Sequence, residues 1–129
     1  MSSGASTARR PRVLIADDYP GMVKAVSRLL TLDCDIVGSV ADGGALLEAA
    51  ERLQPDVIVL DVNLPKIHGL EACRQVMRAD PKVKIVVFTA TIDPDIRQQF
   101  LEAGASAFVS KTGVENLLSA IKQLDIDPR

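Results

Sequence analysis

The chain has 129 residues, 47% of them apolar, which suits a single domain; one of this size buries about two-thirds of the surface that its unfolded form exposes and needs no disulfide or metal staple. A formal net charge of -2, with no basic run beyond Arg9, Arg10 and Arg12, argues against a nucleic-acid footprint on this chain. Its only aromatics, Tyr19, Phe88, Phe100 and Phe108, are too scattered to stack bases, and no apolar run approaches the roughly 18 residues of a membrane span.

The first ten residues, MSSGASTARR, are small and polar and lack the apolar core of a signal peptide, so they read as a mobile tail. VLIA (13 to 16) is continuously apolar, β-branched and too short for a helix, the pattern of a strand buried on both faces. Met22, Val23, Val26, Leu29 and Leu30 then form a stripe at helical spacing. DIVGSV (35 to 40) is a weaker strand, followed by a helix carrying Leu46, Leu47, Ala50 and Leu53 and stopped by Pro55.

VIVL (57 to 60) is a second buried strand, and Leu70, Cys73, Val76 and Met77 mark the next helix, closed before Pro81. IVVF (85 to 88) leads to a helix with Ile96, Phe100 and Leu101, opened by the Asp93-Pro94 cap and ended by Gly104. AFVS (107 to 110) precedes a last helix with Leu117, Leu118, Ile121 and Leu124, for which Thr112 and Glu115 offer a capping box. Cys34 and Cys73 form no metal-type pattern and read as small buried apolar residues in a reducing cytoplasm.

Five βα units in strict alternation imply a doubly wound α/β fold, a parallel sheet with helices on both faces and right-handed crossovers. Ligands of such sheets bind beyond the carboxyl ends of the strands, where the strand order reverses. The residues there are Asp17 and Asp18 after VLIA, Asp61 after VIVL, Thr89 after IVVF and Lys111 after AFVS. Taken singly, each has an ordinary explanation: aspartates cap helices and turn chains, a loop lysine is solvated, and a threonine ends a strand.

Gathered on one edge, they permit a narrower chemistry. Three adjacent carboxylates raise one another's pKa unless a cation sits among them, and Mg²⁺ with retained waters suits one or two carboxylates plus a backbone carbonyl. Asn63, two residues past Asp61, could supply that carbonyl. Asp61 could then attack a phosphoryl group to become an acyl phosphate, with Lys111 and Thr89 holding the new oxygens.

The paired acids in LIADDYP, the aspartate in VLDVNLPKIHGLE, the threonine in VVFTA and the lysine in GASAFVSK resemble the receiver domain of bacterial two-component response regulators, over residues from about 12 to 124. VGSVADGGALLEAAERLQPDVIVLDVNLP and the Lys-Thr pair are most similar to the subfamily with helix-turn-helix outputs of the LuxR/NarL kind. The resemblance implies a flavodoxin-like (βα)5 sheet in strand order 2-1-3-4-5, with the receiver spanning 11 to 125 and residues 126 to 129 a tail or the start of a linker. It implies phosphorylation of Asp61, Mg²⁺ among Asp17, Asp18, Asp61 and the Asn63 carbonyl, and a switch pair formed by Thr89 and Phe108.

It further implies a cytoplasmic protein whose phosphoryl donor is a sensor histidine kinase or a phosphotransfer protein, with small acyl phosphates as substitutes. Homodimerisation on phosphorylation, and contact with DNA only through an output domain beyond this chain, belong to the same picture. Asn63 and Thr91 are the expected modulators of phosphoryl lifetime.

Three departures from the family stand out. Ile67 replaces a usual methionine, His68 replaces an acid or amide, and Thr112 replaces the proline after the lysine. His68 has no second ligand in sight and reads as an exposed helix-start residue, and a cis Lys111-Thr112 bond is expected by analogy. Rival readings are a phosphatase of the haloacid dehalogenase type, which wants an acid where Asn63 stands, and a flavodoxin-like electron carrier, which wants a phosphate loop where DDYP stands. A receiver fold used only for docking or dimerisation is the third.

Overall fold

A computed structural model describes residues 10 to 90 and 93 to 126. The remainder of the expected N-terminal tail, the last three residues and Thr91 lie outside the described residues. Strands β1 (Arg12–Ala16), β2 (Asp35–Val40), β3 (Val57–Leu60), β4 (Lys84–Thr89) and β5 (Ala107–Ser110) alternate with helices α1 (Pro20–Leu30), α2 (Gly43–Leu53), α3 (Gly69–Ala79), α4 (Pro94–Glu102) and α5 (Val114–Lys122). All strand pairs are parallel, in the order β2-β1-β3-β4-β5.

Continuous apolar runs make the central strands, because a parallel sheet covered on both faces leaves no position for a polar side chain. Val57 to Leu60 are all buried. Leu14, Ala16, Ile58, Leu60, Ile85 and Val87 face α2, α3 and Phe100 of α4. Val13, Ile15, Val57, Val59, Val86 and Phe88 face Val26 and Leu30 of α1 and Leu117 and Ile121 of α5. Because α1, which follows β1, and α3, which follows β3, lie on opposite faces, the connections leaving these two strands diverge, and a crevice opens between their carboxyl ends.

Helix ends follow local chemistry in some places and tertiary packing in others. The Asp93 side chain accepts from Asp95 N–H, Pro94 opens α4, and Gly104 takes a positive φ of 109° just beyond its end. Thr112, expected to cap α5, does not: Gly113 is the N-cap and no side chain caps the helix. The Thr112 hydroxyl is instead 2.9 Å from that of Ser110, a local bond that competes with capping. Arg10, taken as the end of the tail, donates to Asp35 Oδ1 at 2.9 Å and to the carbonyls of Leu32 and Cys34 at 3.0 and 2.8 Å.

Both cysteines are buried, and burial pushes the Cys73 thiol up to about 11. For Cys34, burial and then the neighbouring Asp33 charge raise the pKa. Since the thiolate is the nucleophile, native protein at pH 8 should resist iodoacetamide while protein in denaturant takes up two alkyl groups, as read by intact mass. Among the described residues no helix is long and apolar enough to cross a membrane.

Candidate functional site

Parallel register brings the acids together. Ala16 is paired with Leu60, so the next residue on each strand, Asp17 and Asp61, emerges side by side; Asp61 N–H donates to Ala16 O at 2.9 Å. On the neighbouring pair Thr89 is aligned with Ser110, and Lys111 N–H donates to Thr89 O at 2.9 Å. Four of the strand-end residues are therefore held by sheet backbone rather than by loops.

Carboxylate oxygens of Asp17, Asp18 and Asp61 all lie within 4.8 Å of one another. Asp17 and Asp61 are 6% and 8% exposed and Thr89 is fully buried, whereas Asp18 faces solvent. Lys111 Nζ is 2.8 Å from Asp17 Oδ2 and 3.5 Å from Asp61 Oδ2. Its nearest partner is thus Asp17, a pairing that strand-end residue types alone do not predict. Asp17 does not cap α1; its other oxygen accepts from Tyr19 N–H at 2.9 Å.

Asn63 is exposed in the loop after β3, and its backbone N–H donates toward the Asp61 carboxylate. Phe108 is half-buried against Phe100, ring centroids 6.3 Å apart and planes tilted by 56°. His68 is exposed and is the N-cap of α3, its Nδ1 accepting from Leu70 N–H at 3.3 Å. No peptide bond among the described residues is cis, so the cis Lys111-Thr112 bond expected by analogy is absent. A non-proline cis bond costs about 3 kcal/mol, and the Thr112 N–H is placed to donate to Ser110 Oγ at 3.2 Å.

Burial raises the Asp61 pKa above its ordinary value of 3.8, and the Asp17 charge adds to this, while Lys111 and the Asn63 N–H oppose it. A raised folded-state pKa means that the native state holds this proton more tightly than the unfolded state, so stability is lost as pH rises from the unfolded value through the folded one. Metal-free Asp61→Asn should accordingly melt above the wild type at pH 7.5, with the gap closing as pH falls toward 3.8. Thermal scans of both proteins across this range measure it.

The donor set is all hard oxygen, with two acids buried and one open to solvent, and its unopposed negative charge exceeds what Lys111 neutralises. That set fits a small divalent cation that retains water. The arrangement places three carboxylates, two of them buried, and the part-buried ammonium of Lys111 on one crevice.

The sequence model of the response regulator receiver domain matches residues 13–122. The chain belongs to this family. Response regulator GacA of Pseudomonas aeruginosa is 34% identical over 116 residues, covering 88% of this chain and 54% of that protein. DNA-binding transcriptional activator EvgA of Escherichia coli is 30% identical over 111 residues, covering 84% of the chain and 54% of that protein. The receiver thus spans about half the length of the curated relatives it matches. A crystal structure of a LuxR-family response regulator from Aurantimonas sp. superposes with a TM-score of 0.84 at 29% identity, covering 88% of this receiver and 84% of that chain. These relatives make it a receiver of the NarL/LuxR type, and the dehalogenase and flavodoxin readings fall away.

Proposed function

We propose that this receiver accepts a phosphoryl group on Asp61 in a Mg²⁺-dependent reaction and changes conformation to control an output, as a cytoplasmic element of two-component signalling. The observation that supports it most is the convergence of Asp17, Asp18 and Asp61 within 4.8 Å, with Lys111 Nζ reaching both buried acids. Asp17, Asp18, Asp61 and the Asn63 carbonyl would hold Mg²⁺, whose bound charge offsets that of the acids and of an incoming phosphoryl group.

An Asp61 carboxylate oxygen attacks phosphorus in a phosphohistidine of a sensor kinase or phosphotransfer protein. The O–P bond of an acyl phosphate forms as the P–N bond breaks, and the imidazole leaves with that electron pair and takes up a proton. Lys111 and the Thr89 hydroxyl bind the transferred oxygens. Water attack on phosphorus later returns the carboxylate and inorganic phosphate, so the receiver turns over its own modification without being a metabolic enzyme. Thr89 and Phe108 form the switch, the half-buried ring moving as Thr89 is drawn to the phosphoryl group. Homodimerisation on phosphorylation, and DNA contact through an output domain outside this chain, complete the reading.

Incubation with acetyl phosphate and Mg²⁺ should add one phosphoryl group by intact mass, and excess chelator should prevent it. Absence of label from acetyl phosphate, from phosphoramidate and from a phosphorylated histidine domain would leave a docking-only receiver.

A further inference from the structure

The loop from Asp61 to His68, which carries Asn63, is pinned at two glycines where backbone meets backbone. At its far end Gly69 N–H donates to Val62 O at 3.2 Å, and a Cβ on Gly69 would lie 2.6 Å from that same oxygen. In its middle, Gly43 at the start of α2 donates its N–H to Pro65 O at 3.0 Å. A Cβ on Gly43 would stand 2.3 Å from Ile67 O and 2.5 Å from Ile67 Cβ.

Neighbouring contacts reinforce the second pin. Asp42 accepts from Ala45 N–H at 2.8 Å through one oxygen and lies 3.5 Å from Lys66 Nζ through the other. Lys66 adopts a left-handed φ of 69°, and Ile67 packs its side chain against the core shared by α2 and α3. The segment is closed onto α2 at Pro65, Lys66 and Ile67, two to four residues beyond Asn63.

We propose that the Asp42-Gly43 start of α2 is a positioning element for the phosphoacceptor loop, with Gly43 setting where Asn63 stands relative to Asp61 by admitting the loop backbone against the helix. The inference rests on the reading of Asp61 as phosphoacceptor, and none of these residues touches the reacting atoms. A shift of even 1 Å in a positioning group can slow a reaction about a hundredfold.

Gly43→Ala should push the loop away, and Gly44→Ala is its control: the same change one residue on, where a Cβ meets nothing nearer than 3.4 Å. Gly43→Ala is expected to keep its far-ultraviolet spectrum, exchange amide hydrogens of residues 61–69 at least about tenfold faster than Gly44→Ala, and accept phosphoryl from acetyl phosphate about tenfold more slowly, with a higher half-saturating Mg²⁺ concentration. If Gly43→Ala does not fold, Ile67→Ala, which loosens the same pin from the loop side, should show the same direction in both readouts. Exchange and phosphorylation indistinguishable from Gly44→Ala, in the folded variant or in Ile67→Ala, overturn the inference. A wild type that takes no phosphoryl group refutes the proposed function instead, while the exchange comparison, made without metal, still decides whether Gly43 fixes the loop.

Discussion

Asp61→Asn should take up no detectable phosphoryl group, a loss of at least about a thousandfold, under conditions that label the wild type fully. The amide keeps the shape of the side chain in a site that is 8% exposed, so the loss would be chemical. An amide oxygen carries no negative charge with which to attack phosphorus, and its O-phosphorylated product would be a cationic imidate that must also lose an N–H proton. The same variant is expected to fold at least as stably as the parent, because the charge it removes is disfavoured by burial and by Asp17. Intact mass after acetyl phosphate treatment, paired with a melting curve, separates loss of the acceptor from loss of the fold. Label retained at near wild-type level would remove Asp61 from the centre of the mechanism.

Lys111→Ala should be the most damaging change at the site for stability. Its ammonium sits 2.8 Å from Asp17 and 3.5 Å from Asp61, and both acids are buried. Removing the cation from a buried pair strands the charges left behind, at a cost of 3–5 kcal/mol where no solvent enters; the lysine side chain is 16% exposed, so about 2 kcal/mol is expected here. For a domain of this size that is a fall of roughly 6–10 °C in melting temperature. Two conditions should restore most of it: Mg²⁺, which replaces the lost positive charge, and acid pH, which protonates the stranded carboxylates. A deficit that persists unchanged in both would mean that Lys111 contributes by packing its aliphatic stem rather than by charge.

How much of this is legible in the sequence depends on whether the cause is local. DIVGSV, VIVL and AFVS coincide with β2, β3 and β5, because runs that short between helical stripes fit strands; the continuously apolar VIVL is the one buried along its whole length, while the weaker two lie at the sheet's edges. The strand-end rule then brought Asp17, Asp61, Thr89 and Lys111 to one edge, since it needs only that the sheet be parallel. What escaped depends on distances across the fold. Nothing in the residue types says that Lys111 prefers Asp17 to Asp61, or that the Asp42-Gly43 dipeptide meets the loop after β3. Thr112 misled for a related reason: its spacing to Glu115 suits a cap, but the nearby Ser110 hydroxyl competes for it. The cis bond was an analogy with proline-bearing relatives, and this chain has no proline there.

The rim of the sheet remote from the acids is built differently. Arg12 donates through Nη1 to the carbonyls of Leu53 and Gln54 at 2.7 and 2.8 Å, and its backbone N–H is held by Asp56 Oδ2 at 2.8 Å. Together with the Arg10 fork on the turn after α1, guanidinium groups hold main-chain oxygens at and just beyond the ends of two helices, while the carboxylates of Asp35 and Asp56 tie in the starts of the neighbouring strands. The opposite rim is also held by main-chain bonds, but there one lysine faces three clustered carboxylates. The two rims therefore differ in what an incoming anion would meet: paired charges on one side, and on the other an acidic cluster that a single ammonium leaves only partly balanced.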